Sequence, residues 1–159
     1  MAGIGLRRPY VAVYGYTEAT DTVAYTNGMV LAKAVEFGAT IESAADNNLY
    51  ADDGIAESDT AFSGGTMTIT TDDLMQEASA LILGITPSTI TVGGEEVTEL
   101  VYDDRASAPD LGFGIIIPKQ KNGARLFRAV VFPKIKFSIP AEAATTQGQS
   151  IEWQTPTIE

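Results

Sequence analysis

The chain has 159 residues, with 21 acidic and ten basic side chains, a net charge of −11, and neither cysteine nor histidine. That length supports one domain, residues 1–159, with a true core, and is short for two. The missing cysteines exclude disulfides, thiolate metal sites and cysteine nucleophiles; the missing histidines remove the commonest general base and transition-metal ligand; the acidic balance repels nucleic acid at long range.

The opening "MAGIGLRRPY" has no apolar run behind its charges, and "LILGI" and "GFGIII" fall far short of the ~20 residues a bilayer span needs. A soluble, intracellularly made protein without membrane contact is expected. Most of the chain beyond Tyr10 reads in period two with regular turn residues, which predicts a mostly β chain. "YVAVYGY", Tyr10 to Tyr16, is a first strand. Asn27-Gly28 lies between apolar runs, and because a type I′ turn needs positive φ at both central residues, the pair predicts a hairpin there. In "AVEFGATIE", Val35, Phe37, Ala39 and Ile41 alternate with Glu36, Gly38, Thr40 and Glu42, giving one buried and one wet face.

Periodicity then disappears over a long acidic loop at about residues 44–64, an unusual length for a compact domain. It returns in "GTMTITTDD", with Met67 and Ile69 on one side and Thr66, Thr68, Thr70 and Asp72 on the other. "DDLMQEASALILGI" predicts a flanking helix at about residues 73–83. Asp73 is its cap, Leu74, Ala78, Leu81 and Ile82 form its apolar face, and Gly84 is its left-handed terminus. Hairpins are expected about Gly93-Gly94 and Asn122-Gly123, with "KIKFSI" and "SIEWQTPTI" as closing strands around a polar segment at 141–149.

The charges are segregated. Residues 17–104 hold seventeen acids and a single base, Lys33, whereas residues 105–136 hold seven bases and a single acid, Asp110. Local accident on exposed faces is one reading; complementary surfaces on neighbouring subunits are the other.

The stretch "NNLYADDGIAESD", Asn47 to Asp59, crowds four carboxylates into thirteen residues. With Gly54 as the central glycine of a calcium loop, Leu49 and Ala51 occupy ligand positions and Thr60 stands where the bidentate glutamate belongs, so the spacing fails. A looser calcium site from Asp46, Asp52, Asp53 and Asp59 is a weaker alternative than a solvated acidic loop. The adjacent acid pairs, such as Glu95-Glu96, point to opposite faces of a strand and do not cooperate. "GGT", "VGGEE" and "GFGIII" lack the features of phosphate or dinucleotide loops. Trp153 alternates with Ile151 as a packing residue. These patterns point to no catalytic residue, cofactor or metal, and an enzyme is not expected.

Taken in order, "GLRRPYVAVY", "YTNGMVLAKAVEF", "ADNNLYADDGIAESDTAFSGGTMTI", "DDLMQEASALILGI" and "FPKIKFSIPAEAATTQGQSIEWQTPTI" resemble the major tail proteins of long, non-contractile-tailed bacteriophages. The resemblance runs from about Gly5 to Ile158, with "DNNLYADDGIAESD" and "SIEWQTPTI" its most specific pieces. It implies a β-sandwich or barrel-like tail tube domain that closes into hexameric rings, and rings that stack into a conduit for DNA ejection. It also implies the partners of such a subunit: further copies of itself, a tape-measure protein, tail-tip and terminator proteins, and double-stranded DNA passing non-specifically. The location implied is the virion, after assembly in the host cytoplasm. No catalytic residue or cofactor comes with the family.

A conduit must not grip its cargo, because each base that pairs with a phosphate releases counterions and adds affinity. Glu36, Thr40 and Glu42 on one strand and Thr66, Thr68 and Thr70 on the next are therefore expected to line the bore. The acidic loop is expected to order against a neighbouring subunit or ring through Asn47, Asn48, Asp52, Asp53, Glu57 and Asp59, anchored by Leu49, Tyr50 and Ile55. Its complement is a basic surface of Lys119, Lys121, Arg125 and Arg128. The alternatives are the tube of a contractile tail or secretion system, a metal- or carboxylate-dependent enzyme, and a β-sandwich binding module, which would need an aromatic platform that one tryptophan and six scattered tyrosines do not suggest.

Overall fold

The computed structural model describes residues 2–43, 47–51, 54–59, 61–102, 106–139 and 155–159; at 2, 47–51 and 54–59 it describes the backbone. The strands are β1 (Ala2–Gly3), β2 (Arg7–Thr17), β3 (Thr22–Val30), β4 (Ala34–Ser43), β5 (Asn47–Ala51), β6 (Gly54–Asp59), β7 (Phe62–Thr71), β8 (Ser88–Val92), β9 (Glu95–Glu99), β10 (Leu111–Lys121), β11 (Ala124–Ile135) and β12 (Thr157–Ile158), with helix α1 at Gln76–Leu83. The protein is mostly β, with one α-helix among the described residues and a sandwich-like arrangement of antiparallel sheets.

In the larger sheet β10 pairs with β11 along one edge, and with β2 and then β1 along the other; β3 pairs with β2. The smaller sheet is β4, β7 and β12. Their inner faces meet in an aromatic cluster: Phe37 of β4 stacks on Phe113 of β10 with centroids 6.1 Å apart, and Phe132 and Phe137 pack against Phe113 at 6.3 and 6.4 Å. Val11, Leu31, Ile69, Ile82, Leu111, Ile115 and Ile158, all fully buried, complete this core. Each such aliphatic side chain contributes about 1.5–3 kcal/mol on burial.

The hairpin expected at Asn27-Gly28 is not there. β3 runs through both residues, and the reversal from β2 is made by a 3₁₀ turn, Glu18–Thr20, so that Thr17 pairs with Thr22. Asn27 still adopts positive φ, 53°, but in a bulge: Val11 pairs with Met29 and Val13 with Thr26, leaving Asn27 and Gly28 opposite Ala12. A bulge and a type I′ turn ask for the same left-handed residue, so the pair alone does not distinguish them. The turns at Gly93-Gly94 (φ 63° and 92°) and Asn122-Gly123 (φ 49° and 80°) form as expected.

The helix starts three residues later than expected. Met75, not Asp73, occupies the N-cap position and gives no side-chain cap, while Gln76 donates its side chain to the Thr98 carbonyl. The cause lies at Asp72, whose Oδ1 accepts from the backbone N–H of both Lys33 and Asp73 and holds this corner in a non-helical turn. At the other end Gly84 takes the left-handed conformation (φ 67°) as expected, and a Cβ there would run into the Ser107 carbonyl. "KIKFSI" is strand only to Ile135; beyond it Phe137 is buried, and Ser138 donates through its N–H and Oγ to the Glu159 carbonyl.

Thr71 is fully buried, and among the described residues its Oγ1 has no hydrogen-bond partner. Its backbone N–H is satisfied by the Pro156 carbonyl at 3.0 Å. Thr71→Val keeps the shape and removes the unpaired hydroxyl, so it should raise stability by about 1 kcal/mol, read as a Tm increase of a few degrees; an unchanged or lower Tm would show that the hydroxyl is satisfied.

Candidate functional site

Register decides which residues share a face of the smaller sheet. Glu36 pairs with Thr70, Gly38 with Thr68, Thr40 with Thr66 and Glu42 with Gly64. Directly opposed residues point the same way, so the predicted bore residues Glu36, Thr40, Glu42, Thr66, Thr68 and Thr70 form one continuous surface. The reverse side holds Phe37, Met67 and Ile69 against α1 and the larger sheet, so the polar surface faces away from the core. Thr68 and Thr70 are half-buried, and Thr70 shares a hydrogen bond with Thr157 of β12. The apolar side is less completely covered than its alternation implied. Val35 is 54% exposed where it sits in the bulge between Ala34 and Glu36, and Ile41, opposite Gly65 toward the far end of β4, is 73% exposed.

At the near end of this surface Asp72 is not free. Its Oδ2 lies 3.3 Å from Lys33 Nζ, and its Oδ1 accepts the backbone N–H groups of Lys33 and Asp73. Partial desolvation pushes its pKa up, but the Lys33 N–H and ammonium together with the Asp73 N–H outweigh it and hold the carboxyl below the ordinary value. Lys33, the single base of the acidic block, thus joins the β3–β4 connection to the end of β7.

The acidic segment is a hairpin extension and not an irregular loop. β5 and β6 pair antiparallel, Asn47 with Asp59, Asn48 with Ser58, Leu49 with Glu57, Tyr50 with Ile55 and Ala51 with Gly54, as a separate two-stranded arm that lies between β4 and β7 in the chain. Sequence reading missed it because the segment lacks the apolar alternation that marks a half-buried strand; two strands can pair without a core to cover. Asp46, Asp52, Asp53 and Thr60 lie outside the described residues, as do the side chains of the remaining arm positions. Beside the end of β4 and the start of β7 a cleft of about 360 Å³ opens between Thr40, Ile41, Phe62, Thr66 and Met67 on one side and Phe132, Ile135, Phe137, Lys134 and Lys136 on the other.

The predicted basic surface divides. Lys119, Lys121 and Arg128 project from the core-facing side of β10 and β11, beyond the end of the core, because Lys119 pairs with Leu126, Lys121 with Ala124 and Ile117 with Arg128. Arg125, opposite Gln120, projects from the outward side.

That outward side was not anticipated. Tyr10, Tyr14, Tyr16 and Tyr25, four of the six tyrosines, lie on it together with Val23, Val30, Phe127 and Val131. The period-two spacing of Tyr10, Tyr14 and Tyr16 carried this information, and these four tyrosines are not scattered. Tyr25 lies across Gly112, whose missing side chain makes room for the ring, and donates to the Pro133 carbonyl at 3.0 Å. Tyr14 meets Tyr25 edge-on at 6.0 Å, and Lys134 sits over Tyr14 while pairing with Asp110 at 3.1 Å.

No helix among the described residues is long and apolar enough to cross a membrane, and no group of three or more acidic residues there is placed to hold a metal ion. The expected packing role of Trp153 and the polar segment at 141–149 lie outside the described residues. The chain matches no known family model, and comparison with curated proteins and with solved structures finds no match.

Because folding lowers the Asp72 pKa, the ionised carboxylate stabilises the fold fully above the ordinary aspartate range, and the contribution is lost as pH falls through the depressed value. Asp72→Asn keeps an acceptor for both N–H groups and removes the charge. Its Tm should lie below that of the parent at neutral pH, with the gap closing as pH falls from about 5 to about 3; a gap independent of pH would assign the effect to shape alone.

Proposed function

We propose that the protein is a structural subunit of a bacteriophage tail tube of the long, non-contractile kind. Copies close into rings, the rings stack, and the virion's DNA passes through the bore. One observation carries the reading: Glu36, Thr40, Glu42, Thr66, Thr68 and Thr70 align in register on the side of the small sheet that faces away from the core. A surface of hydroxyls and carboxylates repels phosphate weakly everywhere and offers no site at which DNA would stall. The base at its near end, Lys33, is engaged by Asp72. The sequence resemblance supports the same assignment, as does the arm, which pairs as a sheet of its own and carries acids at a density suited to pairing with bases on the next subunit.

In this reading the arm contacts the neighbouring subunit or ring, the tape-measure protein occupies the bore during assembly, tail-tip and terminator proteins close the two ends, and the mature location is the virion. The chain performs no chemistry. A second reading, a β-sandwich binding module, draws support from the tyrosine-rich outward face of the larger sheet.

Negative-stain microscopy of the purified protein over a range of concentrations separates the two. Long hollow filaments are the expected result; particles of fixed small size at every concentration would contradict the tube. Deleting Leu49 to Glu57 removes most of the arm and leaves the β4–β7 ladder intact, so the variant should keep its circular dichroism and melting cooperativity while forming no filaments. Normal filaments from it would remove the arm from the assembly contacts.

A further inference from the structure

We propose that the outward face of the larger sheet is a contact surface for a second copy of this chain, the two copies lying antiparallel so that the Asp21 end of one covers the Arg125 end of the other. Tyr10, Tyr16, Val23, Tyr25, Phe127 and Val131 are between 40% and 67% exposed and all project from this one side. Together they present on the order of 700 Å² of largely apolar side chain, close to the ~800 Å² per partner of a standard stable interface. A contiguous apolar patch of this size on a free surface marks an interaction site.

The chemistry of the face selects a protein surface over a saccharide. Two of the four phenols have their protons committed within the chain, Tyr16 to Asp21 at 2.9 Å and Tyr25 to the Pro133 carbonyl at 3.0 Å, which leaves those two as acceptors only. Aliphatic side chains flank them. Tyr25 is also held flat over Gly112, so little conformational freedom is lost when the face is covered.

Charge selects a second copy and its orientation. In the middle of the face Lys134 and Asp110 neutralise each other. At one end, in the β2–β3 turn, Asp21 stands beside Tyr16 without a cation among the described residues. At the opposite end, next to the β10–β11 turn, Arg125 forms no ion pair among the described residues. Turning one copy end for end over the other brings each unpaired acid against an unpaired base, and two-fold symmetry makes the contact twice. Such a pair is closed, unlike the open-ended contacts of a tube, and therefore does not depend on the tube reading.

Sedimentation of the full chain at low salt tests it. The parent should form a pair that dissociates on dilution, and Phe127→Asp combined with Val131→Asp should be monomeric with an unchanged circular dichroism spectrum. Should that variant unfold, a charge cycle still decides: Asp21→Asn, which keeps a residue suited to its left-handed φ of 49°, and Arg125→Gln should each raise the pair's Kd about fivefold, and the double variant no further. A parent that stays monomeric at several hundred micromolar, or a pair indifferent to both sets of substitutions, would overturn the proposal. Filaments without any pair at low concentration overturn it and leave the tube reading standing; a pair without filaments does the reverse.

Discussion

The stack of Phe37 on Phe113 is the contact on which the remainder of the molecule depends. It joins the smaller sheet to the larger at an interplanar angle of 14°, with Phe132 and Phe137 closing around Phe113. Because strands alternate, fixing these four rings inward fixes the outward residues as well. Phe37 inward makes Glu36, Gly38 and Thr40 outward; Phe113 and Val11 inward make Tyr10, Tyr14 and Gly112 outward. A one-residue slip in either sheet would exchange the faces, and the buried ring area makes such a slip costly.

The two outward faces that result differ in kind. The strands of the small sheet present a polar face without a base, and that of the large sheet is aromatic and aliphatic, with the Lys134–Asp110 pair and Arg7 within it and Asp21 and Arg125 at its ends. The first suits a surface past which a polyanion moves, and the second suits a surface that another protein covers. Lys33 and Asp72 hold the connection between the sheets in place, which keeps the single base of the acidic block committed at the margin of the polar face. On the proposed reading, the β5–β6 hairpin, the polar face and the aromatic face are the three surfaces through which copies of the subunit and their cargo would meet.

Where local chemistry was decisive, the sequence was legible. Gly93-Gly94 and Asn122-Gly123 made their turns, Gly84 ended the helix, and alternation in "AVEFGATIE" and "GTMTITT" placed the polar face before register was known. Asn27-Gly28 misled because a positive φ serves a bulge as well as a turn. Asp73 misled because a long-range partner, Lys33, captured the neighbouring Asp72 and delayed the helix. β5 and β6 were hidden by composition, since a pair of strands with no core to bury shows no apolar period. The aromatic face was written in the spacing of Tyr10, Tyr14 and Tyr16, but its breadth depended on β3, β10 and β11 being brought alongside β2, and pairing of that kind is not visible in a single strand.

The most direct test of the polar face as a bore uses the absence of cysteine. Thr66→Cys places one thiol on that face, opposite Thr40. In the free subunit it should react with a small maleimide and with one carrying a bulky polymer. In assembled filaments the small reagent should still enter and the bulky one should be refused. Equal reaction of the bulky reagent with filaments and free subunits would place the face on the outside and contradict the account.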